Sequence, residues 1–180
     1  MAKIITVPDP RLRTKSKAIA FDKKTAQLIK ELRETLVTKE GTKGVGLSAV
    51  QIGVLQRVFV AFSNKSKKML VFVNPEIIWY SKRETKGTPE SRNKYEGCLS
   101  VPGIWGIVKR SYTIKVKYQT ETGRALVRKF SGLTATIIQH EYDHLNGILF
   151  VDRALEQKNE LYQLETDEQG KEVLEKIKNL

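Results

Sequence analysis

At 180 residues with a 40% hydrophobic fraction, the chain is long enough for one domain with its own core, and no apolar run in it approaches the length that crosses a bilayer. Its single cysteine rules out an internal disulfide and fits a reducing cytoplasm, and the first ten residues lack the apolar stretch of a signal peptide. The formal charge is +12, but residues 153–180 hold five Lys/Arg against seven Asp/Glu, so the basic excess lies in residues 1–152, where it serves solubility or draws the chain towards nucleic acid or a ribosomal surface.

Residues 4–10 form a short extended lead ending in Pro8 and Pro10. Asp22 opens a surface helix with Leu28, Leu32 and Leu36 on one stripe and Gly41 as its stop. Residues 44–51, G-V-G-L-S-A-V-Q, form a glycine-rich turn that admits close backbone approach. No Gly-Lys-Ser/Thr follows, which excludes a phosphate-binding loop. Residues 57–62 and 69–73 read as strands joined by a turn at residues 63–66, and residues 76–80 as another strand. Residues 81–94, polar and carrying Gly87 and Pro89, read as an exposed loop. Cys98 follows in Y-E-G-C-L-S-V-P-G, where Gly97 leaves room beside it. Residues 112–118 alternate, with Ile114 and Val116 on one face and Lys115 and Lys117 on the other, and residues 125–130 return after a turn. Beyond Val151 the chain is charged and helix-prone, broken near residues 167–170. No repeat or linker divides it, so residues 1–180 read as one domain with a helical tail after about residue 153.

The only two histidines, His140 and His144, stand four apart with Glu141 between them. On a helix that spacing stacks both imidazoles on one face, where they can share a metal ion with the glutamate in reach of its water. Chance produces this arrangement in roughly 1 of 1,000 such sequences. Leu133, Ile137, Ile138 and Leu145 make the surrounding helix apolar, Thr134 is placed to cap it, and Gly147 stops it. Two histidines leave a catalytic metal one protein ligand short. Cys98 is the only thiol available; a downstream glutamate, Glu160 or Glu165, is the competitor.

In these residues the chain resembles the peptide deformylases. Residues 44–51 look like the first motif of that family, E-G-C-L-S at residues 96–100 like the second, and H-E-Y-D-H at residues 140–144 like the third, in that order. V-P-D-P-R-L-R at residues 7–13 and V-N-P-E at residues 73–76 extend the resemblance to about Arg153. Ser48 departs from the usual alanine, with little effect expected, and the polar insert near residues 81–94 alters the rim.

The resemblance implies an α+β fold of antiparallel strands around a central metal-binding helix, with an N-terminal surface helix and a C-terminal helix outside. It implies Cys98, His140 and His144 as ligands of Fe(2+), with Zn(2+), Ni(2+) or Co(2+) able to substitute. Glu141 becomes the general base, and the Gln51 amide with the Leu99 backbone N–H meets the oxyanion. Gly46 and Gly97 flank the peptide, and Leu133 and Ile137 line a methionine pocket. Asp143 is expected to pair with Arg110 behind the site. The implied reaction removes formyl from the N-terminal formylmethionine of nascent polypeptides and releases formate. The implied setting is a bacterial cytoplasm, or an organelle after processing, with the ribosome near its exit tunnel as a candidate partner and neither membrane nor DNA involved. Bacterial members can dock a C-terminal helix on the ribosome, against which the net −2 of this tail argues. Two rivals remain at this stage: a zinc endopeptidase with a downstream glutamate ligand, and a non-enzymatic basic module binding ribosomal RNA.

Overall fold

Asp22 caps the first helix, α1 (Lys23–Leu36), by accepting from Thr25 N at 2.9 Å. Leu28, Leu32 and Leu36 face inward as the periodicity requires. The helix ends well before Gly41, because β-branched Val37 turns extended and opens β1 (Val37–Thr38), which pairs with β2 (Gly41–Thr42). This computed structural model describes residues 1–38, 41–42, 44–63, 65–88, 94–167 and 169–178.

The strands continue as β3 (Gly46–Ser48), β4 (Val58–Ser63), β5 (Lys68–Tyr80), β6 (Glu84–Lys86), β7 (Glu96–Cys98), β8 (Val101–Gly106), β9 (Lys109–Ser111), β10 (Thr113–Gln119) and β11 (Ala125–Ser131). Helices α2 (Leu133–Leu145) and α3 (Phe150–Glu156) follow, then β12 (Leu161–Thr166) and β13 (Glu172–Lys176). One antiparallel sheet runs β11-β10-β5-β4-β3 and a second runs β13-β12-β8-β7.

The run Val58-Phe59-Val60-Ala61 is apolar throughout because both faces of β4 are covered. Phe59 and Ala61 join Ala135, Ile137, Ile138 and Leu145 of α2, while Val58 and Val60 join Leu28, Leu32 and Leu36 of α1. The metal-motif helix is therefore gripped by the sheet along its length. That is the expected architecture of antiparallel strands around a central helix.

Three local expectations are corrected. The two strands expected at residues 69–73 and 76–80 are one strand, β5. Asn74 adopts a left-handed φ of 49° within it and exchanges two hydrogen bonds with the Ile19 backbone, so the Asn74-Pro75 step kinks the strand without ending it. The loop expected at residues 81–94 contains β6, paired with β9; residues 89–93 lie outside the described residues, as does Asn64 of the expected turn. The C-terminal helix is present as α3, but the helical tail is not. Lys158 turns left-handed and Asn159 N donates back to Ala154 O, closing the helix. Leu161 is then buried in the cluster of Leu12, Val101, Val108 and Phe150, and β12 and β13 pair as a hairpin. Burial of one leucine and pairing to β8 outweigh the helix propensity of the charged residues around it.

Candidate metal centre

Helix α2 begins after Gly132, which is the N-cap. Thr134 lies inside the first turn and is not the cap expected of it. One turn apart on this helix, the His140 and His144 rings stand 5.0 Å between centroids. Cys98 ends β7, where its register partner is Val101, and the turn through Leu99 and Ser100 delivers its sulfur over the helix. Cys98 Sγ lies 3.2 Å from His144 Nε2, and the three ligand atoms of Cys98, His140 and His144 all lie within 4.8 Å of one another. One thiol and two imidazoles converging at that spacing are the donor set that would hold a divalent cation.

Burial, with His140 close by, holds His144 well below the ordinary histidine value and keeps it a neutral donor. Burial alone would do the same to His140, but its contacts with Cys98 and Glu96 raise it well above the ordinary value. That pull on a proton is one a cation at the same point would take over. Glu96 Oε2 lies 3.1 Å from His140 Nδ1 and orients the ring. Burial would raise Glu96, yet the Arg110 guanidinium and His140 bring it down to about 2. Arg110 donates to both Glu96 oxygens at 2.7 and 3.0 Å, and to Asp143 Oδ2 at 3.0 Å, which is the pair expected from sequence. Arg153 closes the chain by donating to Asp143 Oδ1 at 2.8 Å.

Glu141 is buried, and burial raises its carboxyl above the ordinary value despite His140 and a hydrogen bond from Ser48. Its backbone neighbour across the cavity is Gly46: a Cβ there would overlap the Glu141 carboxylate, 2.8 Å from Cδ. Gln51 Oε1 accepts from Ser48 N at 2.8 Å, which turns Nε2 towards Cys98 Sγ at 3.5 Å and Ser100 Oγ at 3.2 Å.

These groups open into one cavity of about 530 Å³. Gly46, Gln51, Gly97, Cys98, Leu99, His140 and Glu141 line it, and Leu133 and Ile137 of α2 form an apolar wall. His144 sits behind them, 1% exposed. Sequence reasoning missed the roles of Glu96, Arg153 and Ser48 around the ligands, and of Thr136, Tyr95 and Trp105 on the walls. The E-G-C motif already carried Glu96, and the residue 44–51 motif carried Ser48, but neither showed what its side chain would touch. The competing ligand Glu160 is occupied elsewhere, paired with Lys176 and accepting from Tyr162 on the hairpin, and Glu165 is exposed on β12.

The family described as polypeptide deformylase matches residues 1–160. A peptide deformylase of Pseudothermotoga lettingae is 45% identical over 151 residues, covering 83% of this chain and 81% of the relative. One of Helicobacter pylori is 38% identical over 178 residues, covering 95% of each. Among solved structures, a probable peptide deformylase of Synechococcus phage S-SSM7 superposes with a TM-score of 0.74 at 38% identity, over 85% of this chain and 99% of that one. The Thermotoga maritima peptide deformylase gives 0.74 at 36% identity, over 85% and 97%. On a match spanning most of its length and all three motifs, the chain belongs to the polypeptide deformylase family.

Proposed function

We propose that this chain is a deformylase whose ligands are Cys98, His140 and His144, whose general base is Glu141, and whose oxyanion donors are the Gln51 amide and the Leu99 backbone N–H. The enzyme removes formyl from the N-terminus of nascent polypeptides. The observation that carries the residue assignment is the convergence of a thiol and two imidazoles beside a buried glutamate in one cavity. When bound there, a divalent cation supplies Lewis acidity that lowers the pKa of water and polarises the formyl carbonyl.

The remaining chemistry falls to side chains. Glu141 accepts a proton from water, and the water oxygen bonds to the formyl carbon as the carbonyl π pair moves onto oxygen. The Gln51 amide and the Leu99 N–H donate to that oxygen as its charge develops. Glu141 then passes its proton to the departing nitrogen as the C–N bond breaks. Formate and a free amino terminus result. The methionine side chain packs on Leu133 and Ile137, and the strand of Gly46 pairs with the peptide backbone, with Gly97 opposite.

Iron(II) is the ion we favour, with zinc, nickel or cobalt able to replace it; thiolate and imidazole suit all four. A bacterial cytoplasm is the setting we favour, since a single cysteine and no internal disulfide agree with a reducing compartment. No helix among the described residues is long and apolar enough to cross a membrane. The basic excess of residues 1–152 supports an encounter with the ribosome, where the substrate emerges. Residues 1–180 act in this reading as one domain. The endopeptidase alternative is not favoured, since Glu160 is paired with Lys176, Glu165 is exposed on β12, and neither lines the cavity.

The test is formate release from formyl-Met-Ala-Ser by protein purified without oxygen. Glu141→Ala should lower the rate at least about 100-fold with the ion retained. Normal turnover by that variant overturns the assignment of the base.

A further inference from the structure

The family match ends at residue 160, and the hairpin of β12 and β13 begins at Leu161. That hairpin nevertheless reaches the cavity wall. Tyr162 stands directly across from Trp105, and Trp105 directly across from Gly97, so the three share one face of the second sheet. The Trp105 ring covers Gly97 so closely that a Cβ there would lie 2.8 Å from ring carbon Cζ3. Tyr162 also meets Tyr95 edge to face, 5.0 Å between centroids at 69°. Tyr95 and Trp105 line the cavity, whereas Tyr162 backs them from outside.

The cavity thus has two walls flanking the ligands: Leu133, Thr136 and Ile137 on α2, and Trp105 of β8 with Tyr95, which directly precedes β7. A methionine side chain that fills the first leaves the rest of the peptide to run along the second. We propose that the C-terminal hairpin, through Tyr162, holds Tyr95 and Trp105 as the surface that receives the substrate residues following formylmethionine. Tyr162 is a positioning residue in this account, which rests on the deformylase reading.

The experiment compares Tyr162→Ala and Tyr162→Phe with wild type on formylmethionine amide and on formyl-Met-Ala-Ser, and measures affinity for the product Met-Ala-Ser by titration calorimetry. Tyr162→Ala should raise KM for the tripeptide and weaken product binding by about two- to tenfold, the size of one edge-to-face contact. Its kcat, and its kcat/KM on the amide, should stay at the wild-type level. Tyr162→Phe keeps the ring and should restore the tripeptide KM. Unchanged tripeptide KM and product affinity, or an equal loss on the short amide, overturns the proposal while leaving the deformylase reading intact. Absence of formate from wild type on both substrates overturns the deformylase reading and this inference with it.

Discussion

Ser48 Oγ donates to Glu141 Oε2 at 2.7 Å, joining two residues 93 apart in sequence inside the buried site. The same hydroxyl lies 3.0 Å from the Glu141 backbone oxygen, a second acceptor for its one proton. The expectation that serine in place of the usual alanine has little effect overlooks this bond. Ser48→Ala leaves a buried carboxylate oxygen without its donor. We expect kcat on formyl-Met-Ala-Ser to fall by about three- to tenfold, with ion content unchanged. A kcat equal to wild type would show the hydroxyl to be idle.

Gly46 faces the other oxygen of the same carboxylate. With a Cβ in overlap with Glu141 Oε1, Gly46→Ala must push the side chain away from its bond with Ser48. Steady-state kinetics should show a larger loss in kcat than Ser48→Ala produces, because the proposed base, Glu141, itself moves. Metal analysis should show the ion retained, since no ligand sits on β3.

Arg110 is buried between two carboxylates, Glu96 and Asp143. Arg110→Ala strands both charges and frees the Glu96 side chain that orients His140. Urea unfolding should register a loss of about 3–5 kcal/mol, the range for breaking a buried ion pair. A loss under about 1 kcal/mol would mean that water or Arg153 takes over the pairing.

Asp22 provides a pH test remote from the site. Its carboxyl is held below the ordinary value of 3.8 by the Thr25 backbone N–H. A lowered folded-state value means that the cap stabilises above the unfolded value and is lost as pH falls through the folded one. Thermal melts should therefore show wild type above Asp22→Ala in Tm at pH 7 and the gap closing below pH ~3.8. A gap that stays constant to pH 2 would assign the stabilisation to something other than the charge.

Much of the site was legible because its chemistry is written in adjacent letters. The His140-Glu141-His144 spacing declares a shared helix face, and the Arg110–Asp143 pair follows from where Asp143 must point. Glu96 was harder to see, since only the folded chain puts its carboxylate on a ring 44 residues away. Ser48 and Gln51 are neighbours in a turn, yet their partners lie across the cavity. In the tail, local composition favoured helix, and the decisive contacts, Leu161 in the cluster around Leu12 and Phe150 and Tyr162 paired with Trp105, are non-local. The single strand β5 misled for the opposite reason. Its Asn74-Pro75 step looks like a stop, and the Ile19 backbone holds it as a kink.

The central claim is that the Cys98 sulfur completes the coordination begun by His140 and His144. Metal content per chain, measured on wild type and Cys98→Ala purified without oxygen, tests it most directly. The account predicts one divalent ion per wild-type chain and an ion lost from Cys98→Ala. A Cys98→Ala chain that retains its ion as wild type does would contradict it.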